Sequence, residues 1–358
     1  MIKVLHILSD TNIGGAGKLL LNQLKHFNRR KFDIKVILPK DSLLKPEVEE
    51  LNFEVIETLN GADKSLDFKA IPEFMRIFKC ERPQIVHCHS SLSARIAAWL
   101  KRVPKRIFTK HCVEGSGKLH GILGNLLSTN IIATDFASKE ALVQSGIKQK
   151  KITVIINGSE PLRRLNNNEK SDVRKQFEIA NNDFVFGIVG RLAPIKGQRY
   201  FIEAAKIIME KYNNCKFIIV GTGSDEEMLK QLAVDLKVAG KVIFTGFLSD
   251  IAPVVNIMDI VVNCSDSETS CLALSEGFSL GKPVIATDGG GNPYMVSDFQ
   301  NGLLVPIRDT IATAIAMEKI MADKPLYSEM SEIAYKHYTE KFTAEKMTRQ
   351  VEDIYEHF

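Results

Sequence analysis

Short runs of consecutive apolar residues alternate along the chain with stretches in which apolar positions recur every three or four residues. The runs ending at Ser9, Pro39, His89, His111 and Thr134 are rich in Val and Ile, and several are apolar at successive positions. A strand without in–out alternation is one covered on both faces, as in a parallel sheet. Between these runs, residues 19–27, 70–78 and 93–100 carry helical spacing. Strand, helix, strand repetition predicts a parallel sheet with helices on both sides.

The rhythm breaks over residues 157–175. Asn157-Gly158 is a turn signal, and the polar residues 161–171, with Arg163, Arg164, Asn166, Asn167 and Asn168, read as an interdomain linker. A second alternating series follows, with strand-like runs at 184–189, 216–220, 242–245, 260–264 and 283–286. Periodic segments at 311–321, 327–338 and 344–355 make the end helical, and the last is expected to return to the first half. The pattern predicts an α/β chain of two doubly wound domains: residues 1–165, completed by a helix over 343–358, and residues 166–342. Ligands of such folds bind on the loops after the carboxyl ends of the strands, here expected to line a cleft between the two halves.

Composition narrows the class. The 358 residues, 45% hydrophobic and 25% charged, suffice for two buried cores. A net charge of +4 does not indicate a nucleic-acid partner. The nearest basic cluster, Lys101, Arg102, Lys105, Arg106 and Lys110, reads first as a solvated helix end and second as a contact for anionic lipid or an anionic acceptor. Cys80, Cys88, Cys112, Cys215, Cys264 and Cys271 form no CxxC pair and match no zinc spacing. The first residues enter a strand-like run with no signal-peptide pattern, and no stretch of about 20 apolar residues occurs. A cytoplasmic protein is expected, with peripheral contact at the inner face of a membrane left open.

Candidate chemistry lies where strands end. In Ser265 to Pro283, Glu268 and Glu276 are carried by a segment that reads as a helix start, with Thr269 or Ser270 able to cap it. Backbone N–H groups there suit an anion. Eight helical positions span about 12 Å, enough for two carboxylates to address separate parts of one extended ligand. After the run 184–189, the loop Gly190 to Gly197 holds Arg191 and Lys196, two cations suited to charge that grows on a departing diphosphate. The loop Asp10 to Gly17 contains Gly14 and Gly15, which permit close backbone approach to a phosphate or sugar, but it matches neither GxGxxG nor a Walker A loop. His111 opens a loop, where it can meet a sugar hydroxyl, whereas His87 and His89 alternate in a strand and His87 reads as a core residue. No carboxylate sits at ligand spacing among these histidines, so no metal site is assigned. Gly221, Gly223 and Phe247 follow strands and suit a base or diphosphate, or simply end a strand. Residues 119–127 read as a core helix, with an acceptor or membrane surface as the alternative.

The order of these features resembles glycosyltransferase family 4 over essentially the whole chain. The resemblance rests on the early GG loop, the His89 and His111 strand ends, Asn157-Gly158, GRLAPIKG, the GTG turn, the Glu268/Glu276 segment and NGLLVP at residues 301–306. It implies the GT-B fold, two Rossmann-like domains facing across a cleft, and retaining transfer of a sugar from a UDP- or GDP-sugar to a glycan or lipid-linked acceptor, in surface polysaccharide or glycolipid synthesis. It implies no metal or cofactor. Arg191 and Lys196 would hold the diphosphate and Glu276 the ribose. Glu268 would sit near the transferred sugar, with backbone groups of Ser270, Cys271 and Leu272 beside it. Gly15 would approach the donor, and His111 would lie near the reacting sugar. Thr269, Gly277 and Tyr294 depart from the family's usual Gly, Ala and Glu. The alternatives are a nucleotide-sugar epimerase of the same fold and a non-catalytic nucleotide-sugar-binding subunit.

Overall fold

The computed structural model describes residues 1–111 and 117–357, so Cys112 lies outside the described residues. The chain forms two compact units, Met1–Ser159 with Ala344–Phe358, and Glu160–Thr343.

The first unit is built on a parallel seven-stranded sheet in the order β3-β2-β1-β4-β5-β6-β7. Its strands are β1 (Ile2–Ile7), β2 (Phe32–Pro39), β3 (Glu54–Thr58), β4 (Ile85–Cys88), β5 (Lys105–Lys110), β6 (Asn130–Ala133) and β7 (Ile152–Val154). The strand order reverses between β1 and β4, the position where doubly wound sheets open a crevice. The last helix, Ala344–Glu356, packs in this unit. Its buried residues Ala344, Met347, Thr348, Val351 and Tyr355 recur at helical spacing and form one stripe. Tyr355 is fully buried, stacked on Phe27 at 5.8 Å and edge-on to Phe32 at 5.5 Å.

The second unit carries a six-stranded sheet in the order β10-β9-β8-β11-β12-β13. Its strands are β8 (Phe184–Val189), β9 (Cys215–Val220), β10 (Val242–Gly246), β11 (Ile260–Asn263), β12 (Val284–Thr287) and β13 (Gly302–Val305). All its pairings are parallel, and the order reverses between β8 and β11. Phe186, Phe201 and Phe217 anchor its core.

Four expectations need correction. The polar residues taken as linker include the helix Asn167–Gln176, closed by a capping box between Asn166 and Glu169. None of its residues is buried, so it lacks the apolar stripe that marks a helix. The helix after Glu268 is Leu272–Ser279; its N-cap is Cys271, and neither Thr269 nor Ser270 caps it. Glu268 therefore sits in the preceding loop and does not share that helix with Glu276. The basic cluster is not one solvated helix end: Lys101 and Arg102 are exposed, while Lys105 and Lys110 are buried. Lys105 Nζ donates to the carbonyls of Ile354 and His357, where the last helix ends. The helix Lys118–Leu127 is not apolar-side-in: Leu119, Ile122 and Leu126 are 69%, 64% and 48% exposed. It packs through Gly121 and Gly124, where a Cβ would fall 1.8 Å from Ser145 O and 2.8 Å from Ile147 Cδ1.

Candidate active site

Both charged loops of the second unit leave the sheet at its switch point, one after β8 and one after β11. The β8 loop turns through a 3₁₀ turn, Pro194–Lys196, and reaches Gly197 at φ 66°. A Cβ there would stand 2.1 Å from the carbonyl oxygen of Cys264, so only glycine lets this loop press against the end of β11. The two loops are then tied together. Asp266 N donates to Ile195 O at 2.8 Å, and Arg308 grips the Asp266 carboxylate with contacts of 2.6 and 3.1 Å.

This brings Lys196 to Glu268, with Nζ 2.5 Å from Oε1. The carboxylate also accepts from Ser265 Oγ at 2.8 Å and Asn263 Nδ2 at 3.4 Å. Behind it, Asn292 Nδ2 donates to Asn263 Oδ1 at 3.2 Å and to Thr287 O at 3.1 Å. Gly291 N donates to Glu268 O at 2.7 Å, an approach that Gly290 allows by adopting φ 58°. Sequence reasoning missed Asn263, Ser265, Thr287 and Asn292. The available signal was Asn263, a polar residue closing an otherwise apolar strand.

Arg191 is exposed, and its guanidinium has no partner among the described residues; its carbonyl accepts from Gln198 Nε2 at 2.9 Å. Ser270 and Cys271 are buried beside the start of the helix Leu272–Ser279, which has no side-chain cap. The N–H groups of such a first turn lack intrahelical acceptors and favour an anion. Burial pushes the Cys271 thiol up to about 12, so it is no nucleophile. Glu276 is half-buried on that helix, and Leu272 is its first residue.

The glycines after β9 have a structural cause. A Cβ on Gly221 would lie 2.1 Å from Gly190 O, and one on Gly223 2.0 Å from Leu192 O. Phe247 projects from the end of β10 and is 73% exposed. A separate cavity of about 630 Å³ is lined by Pro194, Tyr200, Asp225, Met228 and Arg308 among others, but not by Arg191, Lys196, Glu268 or Glu276.

In the first unit, Gly14 is the N-cap and Gly15 the first residue of the helix Gly15–Leu24. Both are exposed, and a Cβ at either meets nothing within 4 Å. Neither the backbone nor the packing of the protein itself demands glycine there.

Histidines occupy the other side of this switch point. His6 in β1 and His87 in β4 face each other in register. His89 follows β4 and His111 follows β5. His89 Nδ1 lies 3.1 Å from His111 Nε2, and His6 Nδ1 lies 3.1 Å from His89 Nε2. The Tyr355 hydroxyl sits 3.0 Å from His6 Nε2 and 2.6 Å from His87 Nδ1, and His87 Nε2 lies 2.7 Å from Thr109 Oγ1. Burial lowers every ring's basicity, His6 to about 3 and His111 to about 4, with His87 and His89 well below the ordinary value. Nitrogens of His6, His87 and His89 approach within 4.8 Å of one another, but both nitrogens of each ring are already engaged in these bonds. The sequence flagged His87, His89 and His111 but not His6, Thr109 or Tyr355, because only the sheet register and the returning helix join them.

Comparison with known proteins decides the family. The family model for glycosyl transferases group 1 matches residues 169–337, and that for glycosyltransferase family 4 matches residues 13–161. The chain belongs to this glycosyltransferase family. The transferase is 27% identical, over 99% of its length and 96% of the relative's, to the UDP-Gal:alpha-D-GlcNAc-diphosphoundecaprenol alpha-1,3-galactosyltransferase of Escherichia coli. It is 25% identical, over 99% and 97%, to the capsular polysaccharide biosynthesis glycosyltransferase CapM of Staphylococcus aureus. Its fold matches HepE of Anabaena, solved in complex with UDP-glucose, with a TM-score of 0.88, 22% identity and full coverage of both chains. The glycosyltransferase thus has the GT-B fold of two Rossmann-like halves, and no helix among the described residues is long and apolar enough to cross a membrane.

Proposed function

We propose that this glycosyltransferase moves a hexose from a UDP-sugar to a hydroxyl of a lipid-linked glycan, with retention at the anomeric carbon and without a metal ion. The observation that carries the reading is the Lys196–Glu268 pair, held across the two switch-point loops beside an uncapped helix start. The coverage of the galactosyltransferase relative and the UDP-glucose bound to HepE support the donor class.

In this reading the diphosphate meets Arg191, Lys196 and the first-turn N–H groups at Ser270, Cys271 and Leu272. Cations aimed at a leaving group stabilise the transition state more than the ground state, since its charge grows as the glycosidic bond breaks. Such a clamp does the work of a metal ion. Glu268 holds the Lys196 side chain in place, and Glu268 then addresses the hydroxyls of the transferred sugar. Glu276 takes the ribose hydroxyls, Phe247, Gly221 and Gly223 flank the base and phosphates, and Gly14 and Gly15 allow close approach of the donor. His111 binds the reacting sugar. The acceptor hydroxyl attacks the face the diphosphate leaves and passes its proton to the departing phosphate, so no protein nucleophile is needed. The exposed stripe Leu119, Ile122 and Leu126, next to Lys118, is read as a peripheral contact with the membrane that carries the acceptor.

The test is Lys196→Ala, assayed by transfer from UDP-hexoses. Removing one fixed donor to a developing charge costs roughly 100- to 1,000-fold in rate. Near-normal turnover rejects the clamp. An inverted product rejects retention, and interconversion of the donor with no acceptor present moves the reading to an epimerase.

A further inference from the structure

Six groups of the first unit form one unbranched hydrogen-bonded line: Thr109, His87, Tyr355, His6, His89 and His111. Each neutral imidazole has one N–H and one lone pair, and each hydroxyl has one proton. Along such a line the direction of one bond fixes the direction of the next. A ring that accepts on one nitrogen must donate from the other.

The direction is set at the Thr109 end. Thr109 is 3% exposed, and His87 Nε2 is the partner of its hydroxyl among the described residues. If His87 donated to Thr109, the buried hydroxyl proton would have no acceptor, at a cost of about 1–3 kcal/mol. An unused hydroxyl lone pair costs far less. Thr109 therefore donates to His87 Nε2, and His87 Nδ1–H donates to the Tyr355 oxygen. Tyr355 O–H donates to His6 Nε2, His6 Nδ1–H to His89 Nε2, and His89 Nδ1–H to His111 Nε2.

We infer that His111 is held as the Nδ1–H tautomer by this line, so that the nitrogen it turns outward is a hydrogen-bond donor, with Tyr355 of the last helix as the positioning residue that transmits the setting. The inference rests on the reading of His111 as a residue at the reacting sugar. It says what His111 does there: it donates to a sugar oxygen and does not remove a proton. Among the described residues His111 Nδ1 has no partner. Burial keeps all four rings neutral at pH 7, the condition for a single direction along the line. Tyr355 packs between Phe27 and Phe32, so the hydroxyl that relays the setting is itself held rigidly.

The experiment is ¹⁵N NMR of histidine-labelled full-length protein, which distinguishes protonated from unprotonated ring nitrogens. The wild type is expected to show His6, His87, His89 and His111 all as Nδ1–H. Tyr355→Phe keeps the ring packing and removes the relay, so an Nε2–H form of His111 should appear. Thr109→Val should also release the pattern, and Thr109→Ser should keep it. In transfer assays Tyr355→Phe should lower kcat roughly 10-fold with the donor KM within about twofold, below the roughly 100- to 1,000-fold for deleting a hydrogen-bond donor outright because the imidazole stays. The loss should vanish in a His111→Ala background. An Nε2–H His111 in the wild type, or an unchanged His111 in folded Tyr355→Phe, overturns the inference. Normal transfer by His111→Ala with the expected NMR pattern upholds the line and overturns the placement of His111 at the sugar.

Discussion

At the scale of single residues, the glycines divide by what requires them. Gly221 stands at φ 132° with a carbonyl 2.1 Å from where its Cβ would be, and Gly197 and Gly290 are similar. Gly15 has ordinary backbone and open space around it. The sequence could not separate the two kinds, since both are glycines in loops after strands. A paired substitution separates them. Gly221→Ala should destabilise the second unit by about 2 kcal/mol or more, through backbone strain and overlap. Gly15→Ala should leave stability unchanged or raise it by up to about 1 kcal/mol, since alanine suits a helix better. It should still raise the KM for the UDP-sugar, because the lost room is room for a ligand. Urea unfolding and donor kinetics on both variants check this, and an unchanged donor KM in Gly15→Ala removes Gly15 from the site.

At the scale of elements, what could be read from the sequence was the buried centre of each sheet. β1, β2, β4, β8, β9 and β11 are mostly apolar and buried along most of their length, which is the pattern of strands covered on both faces. β3 and β7 were not legible because edge strands with one wet face carry polar residues, as in Glu54–Thr58. Of the candidate site, the pair Lys196 and Glu268 could be picked out from the sequence as charged residues on two strand-end loops, whereas its supports could not, because Asn263 and Asn292 meet only in the folded unit. The helix Lys118–Leu127 is the instructive failure. It was read first as a core helix, whereas Gly121, Gly124 and Leu127 make the contact and Leu119, Ile122 and Leu126 face outward. Three exposed apolar side chains at positions i, i+3 and i+7 each favour an apolar phase by about 1.5–3 kcal/mol. Replacing Leu119, Ile122 and Leu126 together by Ser should therefore leave the urea midpoint within error while weakening cosedimentation with anionic lipid vesicles at least about 10-fold. Equal cosedimentation of the variant would remove the membrane contact.

At the scale of the whole molecule, the two units differ in how they store histidine. His6, His87 and His89, buried, and His111, half-buried, are all in the first unit, while the second unit holds only His337. The four have folded pKa values depressed below the ordinary 6.5. Below pH 6.5 the unfolded chain binds protons that the folded unit refuses, so stability is full above that pH and falls as pH drops toward about 4. Each such group contributes a slope of up to about 1.4 kcal/mol per pH unit, so four can outweigh a marginal unit within roughly two units of pH. Asp10 and Asp135, raised by burial, act in the opposite direction but are two against four. The single tryptophan, Trp99, lies in the first unit and reports on it selectively. Its urea midpoint should fall steadily from pH 7 to pH 5, while a probe in the second unit moves much less. A Trp99 midpoint that is flat over that range would mean that the imidazoles are already accessible to protons, and the neutral line from Thr109 to His111 would then not exist in solution.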